Sequence, residues 1–474
     1  MAAIAPQASS TLVDTSGNAY RVILRLAMPT VAAMLTQSVV NEIDIVFFAA
    51  LPQPESSNAQ AALLPSLIIL WLFGGSLSAI SVGTQVLSAR RLGENKPHEA
   101  GGVLMNAWFF ALTGGVVFTA LGYLAMPFIV RALIKVPAVQ DAALSYLRWR
   151  LLGITSMAVT FAFKAFFDAI GKTHVHLVSS IVMNVINIAL CWVFVFGNLG
   201  APHMGIAGAG IGGFVSTWVG LAIMVVYAFA ARYRDGYGPF AFSKLSRGLT
   251  WNILKLSVPS AVATVAVMSG FALFAAIVSK LDSLEAGRLG GTHEAVNGAA
   301  TTDIVGVLKL TFTACLAFGT STATLVSQSL GAKKPDDAER FGWASVRLGL
   351  VLFGVVGLCE GVLFTGPILS LVTHSEAVRH AAMLPMRTMG ICTPLIAVGM
   401  ILTQALFGAG NSRFVMIAEL ILHFTCLVPL AWVLGITLGF GLPGIWAAAV
   451  VYVIGLSAVM AWKFRSGDWK HITI

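Results

Sequence analysis

Asp44 is the residue whose type and position most clearly suggest chemistry. It lies in the apolar stretch NEIDIVFFA, 15 residues after Pro29. An ionised side chain inside a lipid bilayer costs about 2.5 to 3.5 kcal/mol, so a carboxylate placed there is a functional candidate. In a low-dielectric cavity it can bind and release a proton, and we predict that Asp44 is an ion-coupling residue. The alternative is a hydrated aspartate at the outer membrane interface.

Two amides form a second candidate group. Asn184 and Asn187 are three residues apart in NVINIALCWVFVFG, which places both side chains on one helix face. Buried amides need hydrogen-bond partners. We predict that Asn184 and Asn187, together with Lys164, take part in ion coupling with Asp44. The alternative is structural, with the amides forming hydrogen bonds that hold neighbouring helices together.

Lys164 has two candidate partners. Its ammonium group could pair with Asp44 and be released when that carboxylate takes up a proton. It could equally pair with Asp168, which lies four residues further along the same helix at the spacing of an intrahelical ion pair. The sequence leaves both alternatives open.

The second half of the chain carries its own ionisable residues in apolar stretches. Glu419 and His423 share a helix face, and a histidine beside a carboxylate can relay protons near neutral pH or form a structural pair. Lys309 could neutralise an acidic group of a substrate, or pair with Glu360 or Asp303. The candidates for cavity lining or proton relay are Asp168, Cys191, Lys309, Glu360, Glu419 and His423.

The composition shows which elements must position these side chains. Of 474 residues, 57% are hydrophobic and only 10% are charged, with a mean hydropathy of +0.86, whereas soluble domains carry about 25% charged residues. A membrane-spanning helix needs about 20 apolar residues. We predict an all-α integral membrane protein whose twelve spans cover 23–50, 61–86, 102–128, 140–168, 175–197, 204–231, 252–280, 302–327, 341–369, 378–407, 413–435 and 442–463.

Internal repeats predict the arrangement of the spans. RLAMPTVAAM at 25–34 corresponds to KLSVPSAVAT at 255–264, and LSARRLGENKPHEA at 87–100 to VSQSLGAKKPDDAE at 326–339. Six spans in each half imply parallel repeats, so we expect two six-helix bundles related by a pseudo-twofold axis along the membrane normal. The predicted segments are an N-terminal tail at 1–20, lobes at 21–235 and 251–465, a linker at 236–250 and a C-terminal tail at 466–474.

Charge and motifs exclude several classes. Most of the 29 Lys and Arg residues fall in segments on one side of the predicted spans, which places both termini in the cytoplasm of a multi-pass inner-membrane protein. They form no basic stripe typical of nucleic-acid binding. The sequence lacks HExxH, GxSxG, His-rich and GxxxxGK[ST] motifs, so we expect no enzyme, no metal site and no cofactor.

Several of these pieces together resemble the multidrug and toxic compound extrusion family, nearer its DinF-like branch, over nearly the whole chain. They are Pro29 followed by Asp44, the SARRLGENKP and SQSLGAKKP loops, and NVINIALCWVFVFG followed by GIAGAG. The resemblance implies an alternating-access antiporter that exports small amphipathic, often cationic, compounds on an H+ or Na+ gradient. It also implies that span 1 bends at Pro29 and that Asn187 joins a polar cluster near Asp44.

Departures from the family pattern bear on the coupling ion. Cys191 stands where some members have a second acid, Lys164 where an amide is expected, and Gly213 where a threonine is common. A sodium ion needs several hard oxygen ligands, so we expect H+ coupling, with Na+ as the alternative. We expect a monomer in the lipid bilayer. The rival function is a flippase for a lipid-linked or anionic metabolite, which predicts a strongly basic groove.

Overall fold

Helices form every regular element in the described part of the chain. The computed structural model describes residues 17–134, 136–240, 242–289, 295–373 and 375–474, so residues 1–16 of the predicted N-terminal tail lie outside it. Twelve helices in this part are long and apolar enough to cross a membrane. This confirms the predicted all-α class and number of spans.

We number these helices as spans 1 to 12 in chain order. Their bounds are Ala19–Ala49, Glu55–Phe73, Pro97–Leu133, Pro137–Ala169, Thr173–Phe196, Ile206–Phe229, Arg247–Gly287, Val296–Gly331, Pro335–Leu363, Glu376–Gly408, Ser412–Thr437 and Gly441–Ser466.

The second predicted span is the one that the structure corrects most. Span 2 begins earlier than predicted and ends at Phe73, and a short 3-10 helix at Gly75–Ala79 separates it from a further helix at Ile80–Gly93. Glycine and serine are weak helix formers, which favours a break here. A Cβ atom on Gly75 would overlap the Trp71 ring, so the local turn also needs a glycine.

The described residues divide into two compact units. The first unit comprises 28–257 and 327–333, and the second comprises 17–27, 258–326 and 334–474. Each unit therefore holds six spans for the most part, which agrees with the two bundles expected from the repeat. The division falls inside spans 1 and 7, in each case two residues before a proline, Pro29 and Pro259. The predicted lobe boundaries at 21, 235, 251 and 465 stay predictions.

Close packing of spans 5 and 6 shapes the first unit. A Cβ atom on Gly208 would lie 2.5 Å from the backbone carbon of Phe194, and one on Gly212 would lie 2.8 Å from Cys191 Sγ. Small residues allow helix backbones to approach closely in membranes. The glycine-rich start of span 6 thus brings it against the residues of span 5 that carry polar side chains.

The linker after span 6 is held on the first unit by Asn106 of span 3. The Asn106 side chain is buried; its Nδ2 donates to the Lys244 carbonyl oxygen at 2.9 Å. Its Oδ1 accepts from the Ser246 backbone N–H at 2.9 Å and from Thr250 Oγ1 at 3.1 Å. The linker is therefore docked against span 3.

The second unit contains π-helical turns within spans 9 and 11, at Cys359–Leu363, Leu422–Leu427 and Val433–Thr437. Pro429 lies between the two turns of span 11 and has no N–H to donate along the helix. Such widened turns are frequent at functional sites. Their side chains include Glu360 and His423, two of the residues singled out above.

Candidate functional site

Asp44 lies near the end of span 1 and is half-buried. Its Oδ1 is 3.8 Å from Cys191 Sγ of span 5, and that sulfur is also 3.8 Å from Asn187 Oδ1. One S–H can donate to only one acceptor at a time. The Cys191 thiol therefore lies between the Asp44 carboxylate and the Asn187 amide and can donate its hydrogen bond to either oxygen.

The amide continues this network to span 6. Asn187 Nδ2 donates to Ser216 Oγ at 3.3 Å, and the Ser216 hydroxyl donates to the Gly213 carbonyl oxygen at 3.1 Å. Asn187, Cys191 and Ser216 are all buried. Spans 1, 5 and 6 thus contribute to one polar cluster around Asp44, as the resemblance implied for Asn187.

Arg150 is a member of this cluster that the sequence analysis missed. Its guanidinium lies close enough to Asp44, Cys191 and the buried Tyr146 to interact with them electrostatically. Positive residues usually indicate topology near the ends of spans, but Arg150 lies 13 residues into span 4, roughly 20 Å along the helix axis. The Tyr146/Arg150 spacing of four residues inside an apolar stretch is the signal that could have revealed it.

Gly213 provides the space for this guanidinium. A Cβ atom at position 213 would lie 2.6 Å from Arg150 Nη1 and 2.7 Å from its Cζ. Thr and every other residue with a Cβ would need Arg150 to move. The departure from the family pattern at Gly213 and the arginine beside Asp44 are therefore parts of one arrangement.

Asn184 lies one turn before Asn187 but has a different environment. Its Nδ2 and Oδ1 are both buried, and neither has a hydrogen-bond partner among the described residues. Leaving buried polar groups unpaired costs roughly 1 to 3 kcal/mol each. A further polar partner at Asn184 would therefore be stabilising. Of the two amides, Asn187 is the one that forms a hydrogen bond to a neighbouring helix.

Lys164 forms its ion pair within its own helix. Its Nζ lies 2.8 Å from Asp168 Oδ2, and Asp168 is buried. Within the described residues this pairing replaces the hypothesised contact with Asp44. His176 of span 5 is also buried and close enough to feel the Lys164 charge, and its Nδ1 has no hydrogen-bond partner in the described part.

Pro29 lies inside span 1, which is helical on both sides of it from Ala19 to Ala49. Its role as a hinge stays a prediction. Proline removes one backbone donor and is a usual cause of helix kinks.

Two candidates of the second unit, Glu360 and Lys309, lie on spans 9 and 8. Thr311 donates to Glu360 Oε1 at 2.6 Å, while Glu360 Oε2 is buried without a partner among the described residues. Thr311 is thus a partner of Glu360, and the pairing hypotheses for Lys309 stay predictions. Lys309 is exposed on span 8.

Glu419 and His423 come together as their spacing predicts. Glu419 Oε2 is 3.3 Å from His423 Nδ1 and accepts a hydrogen bond from Tyr452 of span 12 at 3.0 Å. Both residues of the pair are buried. This cluster lies in the second unit, apart in sequence from the Asp44 cluster of the first.

Comparison with known proteins adds to this geometry. A family model described as MatE matches residues 29–193 and 259–433. The probable multidrug resistance protein NorM of Thermotoga maritima is 24% identical, covering 94% of this chain and 92% of its own length. The protein of the same name from Aromatoleum aromaticum is 28% identical over 84% of this chain and 83% of its own.

Solved structures agree in fold. A multidrug resistance MATE family transporter of the MOP superfamily, in an outward-facing conformation, matches with a TM-score of 0.85 at 19% identity, covering 96% of this chain and 98% of that chain. A MOP superfamily transporter from Pyrococcus furiosus, described as having a binding pocket of reverse polarity, matches equally well. At this level of identity the likeness concerns the fold alone.

Proposed function

The chain belongs to the MatE family, and we propose on this basis that it is a secondary active antiporter that exports organic, amphipathic or cationic compounds by alternating access. Relatives from Thermotoga maritima and Aromatoleum aromaticum are described as probable multidrug resistance proteins, which supports this substrate class.

The observation that carries the proposal is the environment of Asp44. A half-buried carboxylate in a membrane span is joined to a thiol and faced by a guanidinium. Placing an ionisable group in the membrane is energetically unfavourable, so its presence there indicates a functional role. Taking up a proton removes the negative charge of Asp44, which weakens its attraction to Arg150 and alters the acceptor available to the Cys191 thiol.

The same environment supports H+ rather than Na+ as the coupling ion. A sodium ion would need several oxygen ligands, yet the groups beside Asp44 include a sulfur atom and a fixed positive charge. Arg150 lies close enough to Asp44 for the two charges to interact, and like charges repel one another in the same medium. Arg150 therefore opposes the approach of a second cation, whereas a proton needs only one oxygen.

The remaining features of the proposal concern topology. We propose a monomer in the cytoplasmic membrane with both termini in the cytoplasm, supported by the distribution of Lys and Arg. The flippase alternative predicts a strongly basic groove. The single guanidinium described beside Asp44 is offset by that carboxylate, so this alternative gains no support.

The proposal is tested by transport of ethidium, a fluorescent lipophilic cation, into inverted proteoliposomes. An imposed pH gradient should drive uptake by the native protein, and an equal sodium gradient at constant pH should not. Asp44→Asn should lower the pH-driven rate at least about tenfold, since an amide cannot carry the proton.

Asp141→Asn is the matched control, because it makes the same substitution at an exposed position of the first unit. It should transport at the native rate. Uptake on the sodium gradient alone, or a normal rate in Asp44→Asn, would show that the coupling assignment is incorrect.

A further inference from the structure

The buried cluster of Glu419, His423 and Tyr452 has no part in the function proposed above. His423 is completely buried, Glu419 is nearly so, and Tyr452 is half-buried. The three side chains are contributed by spans 11 and 12. Among the described residues no other charged side chain forms an ion pair or a hydrogen bond with them.

The hydrogen bonds fix which nitrogen of His423 carries the proton in its neutral form. Nδ1 lies 2.9 Å from the Glu419 backbone carbonyl oxygen, which can only accept. Nδ1 is also 3.3 Å from the Glu419 carboxylate, which already accepts from the Tyr452 hydroxyl. Both neighbours require a donor, so Nδ1 bears the hydrogen and Nε2 is the nitrogen with a free electron pair.

Nε2 is buried and has no hydrogen-bond partner among the described residues. The adjacent Cδ2 atom of the ring faces Gly270 of span 7, where a Cβ atom would overlap it. The ring is also packed by Phe271 at 6.3 Å and by Tyr452 at 4.5 Å between centroids. The cluster thus holds the imidazole in one orientation with its basic nitrogen unused.

The positive charge created by a proton on Nε2 would be compensated by the negative charge of Glu419. The resulting imidazolium would lie against the Glu419 carboxylate, so that the pair has no net charge when protonated. Removing charges from water is unfavourable unless they are paired. Of the other groups nearby, the Cys426 thiol interacts electrostatically with Tyr452, and Gly270 and Phe271 of span 7, which face the ring, do not titrate.

We infer that Glu419, His423 and Tyr452 form a second proton-binding site, which takes up one proton at His423 Nε2 during transport in addition to the proton on Asp44. The proton is transferred from a hydronium ion: one O–H bond breaks, one N–H bond forms at Nε2, and a neutral water molecule is left. Glu419 compensates the charge and Tyr452 positions Glu419. The π-helical turn at Leu422–Leu427 carries His423, consistent with the frequent occurrence of such turns at functional sites.

The first test is NMR of the detergent-solubilised protein labelled with 15N at histidine, with His423→Gln identifying the signal. At the upper end of the range from about pH 8 to pH 5, in which histidine changes charge, we expect the Nδ1–H tautomer. Towards the lower end the doubly protonated ring should appear, and Glu419→Gln should reduce its population at least about tenfold. A neutral Nε2–H tautomer, or a ring that stays neutral throughout, would overturn the inference.

The second test measures how many protons accompany each ethidium molecule. At equilibrium, each coupled proton multiplies the accumulation ratio about tenfold per unit of pH gradient, equivalent to 1.36 kcal/mol. His423→Gln should therefore lower that ratio about tenfold at a gradient of one unit. His380→Gln, at an exposed histidine of the same unit, should leave it unchanged.

The two proposals can fail independently. An unchanged ratio in His423→Gln would overturn the second proton site while leaving Asp44 as the coupling residue. A loss of pH-driven transport in His423→Gln with a normal Asp44→Asn would reverse the assignment and contradict the function proposed for Asp44. Tyr452→Phe, which keeps the ring packing, should weaken the doubly protonated signal without unfolding the protein.

Discussion

Gly213 determines where the Arg150 guanidinium can lie. The position of a Cβ atom at residue 213 is within 2.9 Å of three guanidinium atoms. A long arginine side chain can move to relieve this overlap, and any such movement changes its electrostatic interaction with Asp44. Gly213 of span 6 thus influences the electrostatic environment of Asp44 in span 1.

Gly213→Ala is therefore expected to reduce pH-driven ethidium transport about tenfold, since weakening a charge interaction by about 1.4 kcal/mol changes an equilibrium tenfold. The measurement is the initial rate in proteoliposomes. Gly236→Ala is the control, because nothing lies within 4 Å of the Cβ position there. Equal rates in the two variants would show that the placement of Arg150 is not needed.

The sequence identified part of this site. Asp44 and Asn187 could be predicted because an acid and amides in apolar helices need partners, and Cys191 was noted as a departure from the family pattern. Arg150 was missed because positive residues were interpreted as topology signals, although it lies inside the predicted span 140–168. The choice between Asp44 and Asp168 as partner of Lys164 depends on how helices pack, which spacing alone does not determine.

The short distance between spans 5 and 6 depends on glycine. The Cβ position of Gly208 is within 2.7 Å of three backbone atoms of span 5. Backbone atoms cannot turn aside as a flexible side chain does. The two helices would have to move apart to accept even a methyl group.

Gly208→Ala should lower the free energy of unfolding by about 1 to 3 kcal/mol, the usual cost of overpacking. Gly306→Ala in span 8 should be neutral or stabilising by up to about 1 kcal/mol, because its Cβ position is open and alanine favours helix. Thermal unfolding in detergent measures both. An equal decrease in the free energy of unfolding in both variants would show that close packing of spans 5 and 6 at Gly208 does not stabilise the protein.

Helix number was predictable from apolar length, whereas helix breaks were not. The interruption after Phe73 depends on Gly75 against Trp71, and the wide turns of span 11 depend on Pro429 and its surroundings. Hydropathy averages over such local features. The length of an apolar stretch therefore indicates a span without giving its internal geometry.

At the scale of the whole molecule, the linker between the halves is attached and not free. Asn106 holds residues 244, 246 and 250 by three hydrogen bonds, and Lys244 Nζ donates to the His98 carbonyl oxygen at 2.9 Å. A protease that cleaves after Lys244 or Arg247 must first open this contact.

Asn106→Ala should increase the rate of tryptic cleavage in the linker about tenfold, since losing hydrogen bonds of a buried amide raises the population of the open form. Limited proteolysis followed by mass spectrometry gives the rate and the site. Asn198→Ala, at an amide whose hydrogen bond stays within its own turn, should cleave at the native rate. If both variants are cut equally, the linker is not held by Asn106.

The repeat predicted two six-helix bundles but not the exchange of short segments between the compact units. Residues 327–333 belong with the first unit, where Ser327 Oγ donates to the Val86 carbonyl oxygen at 2.8 Å and Gln328 Nε2 to that of Ala169 at 2.6 Å. Matching sequence segments shows where a repeat begins. It does not show which neighbours a segment contacts.

This exchange has a consequence for biogenesis. When the ribosome has finished the sixth span, the first unit still lacks residues 327–333, which are made about 100 positions later. The first turns of span 1 belong to the second unit, which has not yet been synthesised. The first unit can therefore be completed only after residue 333 has left the ribosome, and the second only after the remaining spans have followed.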